Sequence, residues 1–128
     1  MRQDTVFIVA GDEMLKLMKR KCPENTAIPF REDLSQGSWT DYSFSEAFIS
    51  ARASFWNVPI SDYLEKMSPI ISLDVNKRYI LCFGEDACCK ANLGFLIGYL
   101  RKRDYSLPIQ VRIVNEHNLS TIREYIED

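Results

Sequence analysis

A chain of 128 residues with 46% apolar and 27% charged residues is the size and balance of one globular domain. A formal charge of −2 and a pI near 5.5 exclude nucleic-acid binding through a broadly basic surface. The four cysteines, Cys22, Cys82, Cys88 and Cys89, lack the Cys-x-x-Cys spacing of a zinc centre, so reduced thiols and no metal site are expected.

The chain opens with Met1 to Asp4 and passes at once into a short apolar strand over residues 5–10, which is not the pattern of a secretory leader. The longest apolar helical run, Ala91 to Leu100, falls short of the roughly 20 residues that a membrane span needs. A cytoplasmic protein with no membrane association is expected. After the first strand, Gly11, Asp12 and Glu13 lead into a helix from Met14 to Lys21 that Pro23 stops. Thr26 to Phe30 reads as a second strand, and Pro29 inside it predicts an edge position.

Residues 31–42 show no steady period and predict a long ordered loop, a feature that is often functional in compact domains. Ser43 and Glu46 have the spacing of a capping box, in which each side chain satisfies a free N–H of the other residue. The helix behind them should bury Phe44, Ala47, Phe48, Ala51 and Phe55. A second helix, Ile60 to Met67, should close before Pro69. A third strand over 78–83 leads through Gly84, Glu85 and Asp86 into a helix over 87–102. On that helix the small residues Gly94 and Gly98 allow a close approach to the sheet or a neighbour. Ile109 to Val114 is a fourth strand, and Leu119, Ile122 and Ile126 suggest a terminal helix capped near Asn118.

The order β-α-β-α-α-β-α-β-α predicts one domain over residues 1–128 of the α/β class. The expected form is a three-layer, open, mostly parallel sheet of about four strands with helices on both faces, Rossmann-like in plan. In such a sheet the strand-Gly-acid-acid elbows at Gly11 and Gly84 share the edge where ligands usually bind. A free helix N-terminus attracts anions, but here paired acids already occupy each one, and neither elbow has a dinucleotide or P-loop glycine pattern. The acidic edge therefore favours a polyhydroxyl, amine or metal ligand over a phosphate.

Helix-dipole stabilisation alone accounts for Glu13, Glu85 and Asp86, with Lys19-Arg20-Lys21 and Arg101-Lys102-Arg103 at the opposite ends. Asp12, directly after its glycine, either caps the helix or meets a ligand. Arg31 either pairs with Asp12 or Asp33 or supplies counter-charge to a ligand. Arg52, between Phe48 and Trp56, either snorkels at the border of the core or clamps a ligand. His117, the only histidine, reads as a residue of the capping region.

Ile8-Val9-Ala10-Gly11-Asp12, Ile28 to Gly37, Arg52 with Phe55-Trp56, and Phe83-Gly84-Glu85-Asp86 ahead of Asn92-Leu93 together resemble the bacterial family called domain of unknown function 1835. The resemblance covers most of residues 6–115. It implies ligand-site roles for Gly11, Asp12, Asp33, Gly37, Arg52, Glu85, Asp86 and Asn92. The family's loop often continues from glycine into proline, whereas Ser38 follows Gly37 here, and many members carry a further C-terminal region that this chain lacks.

These residues support a domain that binds a small polar ligand or a partner at the acidic edge; no cofactor is named by any motif. An enzyme of transferase or hydrolase type would use Asp12 or Asp33 as base and Arg31 or Arg52 to hold an anionic group. An interaction domain would instead present Trp39, Tyr42 and Trp56 to a partner or to a second copy in a homo-oligomer.

Overall fold

A computed structural model describes residues 4–127, so the expectation about the first three residues lies outside it. Five strands form one sheet in the order β2-β1-β3-β4-β5: β1 Thr5–Val9, β2 Thr26–Pro29, β3 Arg78–Phe83, β4 Ile109–Val114 and β5 Thr121–Glu127. The first four are parallel, with Val9 beside both Pro29 and Cys82, and Cys82 beside Arg112. Apolar side chains on both faces of β1 and β3 account for this, because helices must then cover both sides. α1 Gly11–Lys21 packs on Phe7, Val9 and Cys82 through Met14 and Met18. The opposite face, Ile8, Leu81, Phe83 and Val111, carries the larger core with α2 Glu46–Trp56, α3 Ile60–Ile71 and α4 Ala87–Arg103. No helix among the described residues is long and apolar enough to cross a membrane.

The chain leaves β1 towards β2 on one side and returns across it to β3 on the other. Connections therefore diverge at the C-terminal ends of β1 and β3, which opens a crevice at that edge. β2 is an edge strand, as Pro29 predicted. The expected terminal helix is instead β5, antiparallel to β4, which makes five strands rather than four. Thr, Ile and Tyr favour extended backbone. A tight turn, closed by bonds from Leu119 N to Asn115 O at 2.8 Å and from Asn115 N to Ser120 O at 2.9 Å, folds the segment back beside β4. Asn118 Oδ1 accepts Ser120 N within that turn and caps no helix, and His117 N donates to Asn115 Oδ1.

Helix boundaries shift for local reasons. The box at Ser43 does not form: Ser43 Oγ donates to Asp41, and Ser45 caps α2 by accepting Phe48 N at 3.2 Å. The buried stripe of α2 is Phe48, Arg52 and Ala53, while Ala47 and Phe55 face outward. α3 runs through Pro69 to Ile71 instead of ending before it. A proline in a helix leaves the carbonyl four residues earlier without its N–H partner. Ser68 Oγ donates to that carbonyl, Glu65 O, at 2.8 Å, which satisfies the group the ring strands. α1 begins at Gly11, with φ +86°, so both acids of the first elbow are already helical.

Phe95, fully buried on α4, stands among the rings of Phe30, Trp39, Tyr42, Phe44, Phe48 and Tyr99 at centroid distances of 5.1 to 6.3 Å. Trp39, Tyr42 and Phe44 come from the segment ahead of α2, so these rings fasten it to the helical layer. The close approach expected at the α4 glycines belongs to Gly98, where the Tyr42 ring occupies the space of a Cβ, whereas a Cβ on Gly94 would meet open space. Phe95→Ala should therefore cost about 3–5 kcal/mol in denaturant unfolding. Gly94→Ala should stabilise by roughly 0.5–1 kcal/mol through helix propensity, and the same titration checks both.

Candidate functional site

The loop after β2 is organised around a charge pair taken wholly out of water. Arg52 reaches from α2 to Glu32, Nε to Oε2 at 2.9 Å and Nη2 to Oε1 at 2.8 Å, with both side chains fully buried. Its remaining donor capacity goes to loop carbonyls: Nη1 to Gln36 O at 2.7 Å and Ser38 O at 3.3 Å, Nη2 to Asp33 O at 3.0 Å. Glu32 also accepts from Tyr63 Oη at 2.7 Å, Trp56 Nε1 at 2.8 Å and Asp33 N at 2.8 Å. Burial by itself would push this carboxyl up; the donors from Arg52, Tyr63, Asp33 and Trp56 outweigh it and hold the group below its ordinary value. The Tyr63 phenol is pushed up by burial and by the carboxylate it bonds.

Arg52 therefore neither snorkels at the border nor turns a free donor edge to solvent. Asn92 completes the arrangement from α4, its Oδ1 accepting Leu34 N at 2.9 Å and its Nδ2 donating to Glu32 O at 2.6 Å. Gly37 turns the loop with φ +73° between Gln36 and Ser38, two of the three residues whose carbonyls Arg52 holds, with the Phe55 ring lying where a Cβ would project. The loop is thus held by partners on three helices.

Held this way, the loop forms one wall of a cleft of about 460 Å³ at the C-terminal edge of β1 and β3. Gly11, Asp12, Arg31, Asp33, Asp86 and Asn92, all singled out from sequence, line it. Gly37 and Arg52 lie behind the wall. Glu85 lies apart, in a separate depression with Lys90, Arg123 and Tyr125. Glu32, Lys66, Cys88, Cys89 and Glu116 also line the cleft, none of them expected there from sequence, as does Trp56, which the sequence had suggested for a partner surface. An arginine inside an apolar helix stripe requires a buried anion, and that signal could have pointed to a carboxylate in the neighbouring loop.

The two elbows, alike in sequence, differ in use. Asp12 caps nothing: it accepts Arg31 Nε at 3.0 and 3.2 Å, in a pair that remains partly open to solvent. Asp86 is the N-cap of α4, accepting Cys89 N at 2.7 Å. The neighbouring Glu116 draws Asp86 below its ordinary value, and Asp86 in turn pushes Glu116 up. Ligand-type atoms of Asp86, Cys89 and Glu116 lie within 4.8 Å of one another, close enough to hold one cation among them. The sequence spacing of 30 residues between Asp86 and Glu116 concealed this grouping.

Asp33 is turned back on its own loop, accepting Ser35 Oγ at 2.5 Å and Gln36 Nε2 at 2.7 Å. Burial raises its carboxyl, but these donors prevail and keep it below the ordinary value. Burial and the nearby Asp33 push the Cys88 thiol up to about 12, and burial takes Cys89 to about 11. Neither thiol is a thiolate nucleophile near neutrality. The cleft thus offers acids at Asp12, Asp33, Asp86 and Glu116, against cations at Arg31 and Lys66. The Lys66 ammonium stands 5.8 Å from the Trp56 ring centre.

Removing one partner from a buried pair leaves an uncompensated charge. Arg52→Met and Glu32→Gln should each cost about 3–5 kcal/mol in chemical denaturation, and the double variant should cost less than their sum by more than about 1 kcal/mol. A carboxyl held low in the folded state binds its proton more weakly there than in the unfolded chain. Its stabilisation is therefore full above the ordinary 4.5 and lost as pH falls below it. Thermal melts should show the gap between wild type and Glu32→Gln narrowing as pH drops through that range.

Comparison with known proteins found no matching family model, no curated relative and no matching solved structure.

Proposed function

We propose that this protein is a binding domain whose cleft at the ends of β1 and β3 takes a small polar ligand carrying an amine or several hydroxyls. The observation that carries the reading is the convergence of Asp12, Asp33, Asp86 and Glu116 on one cleft, at an edge where open α/β sheets bind ligands. Acids outnumber the two cations, and Asp86 already occupies the N-cap position where a phosphate would gain most from α4. The apolar floor of Phe30 and Trp56 suits the carbon skeleton of an amine or the face of a sugar ring.

The proposal includes a Rossmann-like fold, membership of the domain of unknown function 1835 family, and action in the reducing cytoplasm. Its support is the clustering of the Gly-Asp pair, the acidic loop and Asn92 around one cleft, and four cysteines that are all free. Binding is preferred to catalysis. A general base works best near ambient pH, whereas Asp33 is held low; Arg52, the other residue an enzyme reading would use to grip substrate, is spent on Glu32.

The test is a thermal-shift screen of polyols, sugars, mono- and diamines, divalent metals and nucleotides, because a ligand that binds only the folded state raises its stability. An amine or polyhydroxyl should raise the midpoint, and Asp12→Asn or Asp33→Asn should weaken that ligand about tenfold or more. No shift from either class overturns the reading. So does a phosphate compound whose binding survives neutralising Asp12 and Asp86.

A further inference from the structure

The two edges of the sheet are finished differently. β2 is four residues long and ends in Pro29, which blunts it against further pairing. β5 is seven residues long, has no proline, and among the described residues pairs only with β4, so one row of its backbone N–H and C=O groups faces away from the sheet. Its residues from Thr121 to Ile126 are all exposed, with Ile122 at 51% and Ile126 at 67%. An uncovered edge of this length is a template for another strand.

The order of side chains on that edge says which strand. Pairing with β4 fixes the faces: Glu124 lies opposite Arg112 and Ile126 opposite Gln110 on the side that α1 occupies, and Tyr125 lies opposite Val111 on the side of α4. A two-fold axis perpendicular to the sheet and centred on Glu124 makes β5 antiparallel to itself and preserves both faces. Ile122 of one copy then stands opposite Ile126 of the other, twice over. Arg123 stands opposite Tyr125, with Glu127 of the other copy on the diagonal of the same face. Like charges meet at Glu124 with Glu124, directly opposite, and at Arg123 with Arg123 on a diagonal; each Glu124 carboxylate is already held by its own Arg112 at 2.6 Å, and each Arg123 has Glu127 of the other copy on its second diagonal. The ladder irregularity falls at Ile113/Val114, where Ile122 is the residue of β5 without a partner on β4, and the register is regular from Arg123 onward.

We infer that β5 pairs edge to edge with β5 of a second copy, extending one sheet through a symmetric homodimer. Under this axis the isoleucines meet each other and Arg123 meets Glu127 of the other copy on each side. The surface is distinct from the Trp39, Tyr42 and Trp56 surface that sequence had suggested for self-association: Trp39 and Trp56 are half-buried and bonded to Leu34 O and Glu32. The inference is independent of what the cleft binds.

Sedimentation velocity on the full chain from about 1 µM to about 1 mM reads the association. With seven residues a side the interface is small, so a reversible dimer with a dissociation constant of about 10–100 µM is expected. Ile126→Lys should weaken it about tenfold or more, with far-UV circular dichroism confirming an intact fold. Arg123→Glu and Glu127→Arg should each weaken self-association, and an equimolar mixture of the two should restore it, because the diagonals between unlike copies are again oppositely charged. A wild-type chain that stays monomeric to about 1 mM overturns the inference. A dimer indifferent to Ile126→Lys, or a mixture that fails to recover, overturns it equally.

Discussion

Everything at the candidate site hangs on one buried ion pair. Glu32 and Arg52 are twenty residues apart in the chain, and between them they fix the backbone of the loop at Asp33, Gln36 and Ser38. A bidentate guanidinium–carboxylate pair has two planar partners and tolerates little rotation. It therefore transmits the orientation of α2 to the loop and hence to one wall of the cleft. Replacing such a pair with apolar residues often costs little stability, so its value here is geometric: no apolar contact would hold three separate carbonyls at once.

The helices that supply the remaining partners are themselves placed by the topology. α2, α3 and α4 share one face of the sheet, and Arg52, Tyr63 and Asn92 converge on the loop from all three. α1 lies alone on the other face and brings Asp12 to the cleft from across the sheet edge. The crevice exists because the chain reverses direction at β1. Two elbows with nearly the same sequence thereby acquire different work: Asp86 closes its helix and interacts with Glu116, and Asp12 is left for Arg31.

Much of this was legible in the residues. Apolar strands without alternation announced a parallel sheet covered on both faces, Pro29 announced an edge, and the strand-Gly-acid repeat located the cleft. The errors arose where two local patterns compete. Ile122 and Ile126 are spaced as on a helix, yet the segment is a strand, because β4 offers its edge to a segment whose Thr, Ile and Tyr also favour extended backbone. Ser43 and Glu46 have the capping spacing, but Ser45 lies closer to the helix that forms. Pro69 stays inside α3 because Ser68 satisfies the carbonyl the proline strands.

The sequence by itself determined the α/β core and the edge on which six of the expected site residues meet, since periodicity and turn chemistry are local properties of the chain. Only the tertiary structure decided the partner of Arg52, the union of Asp86 with Glu116, and the conformation of the last strand. Those depend on what stands across a gap in space: a buried charge selects its counter-ion by position, and an edge strand is made by its neighbour.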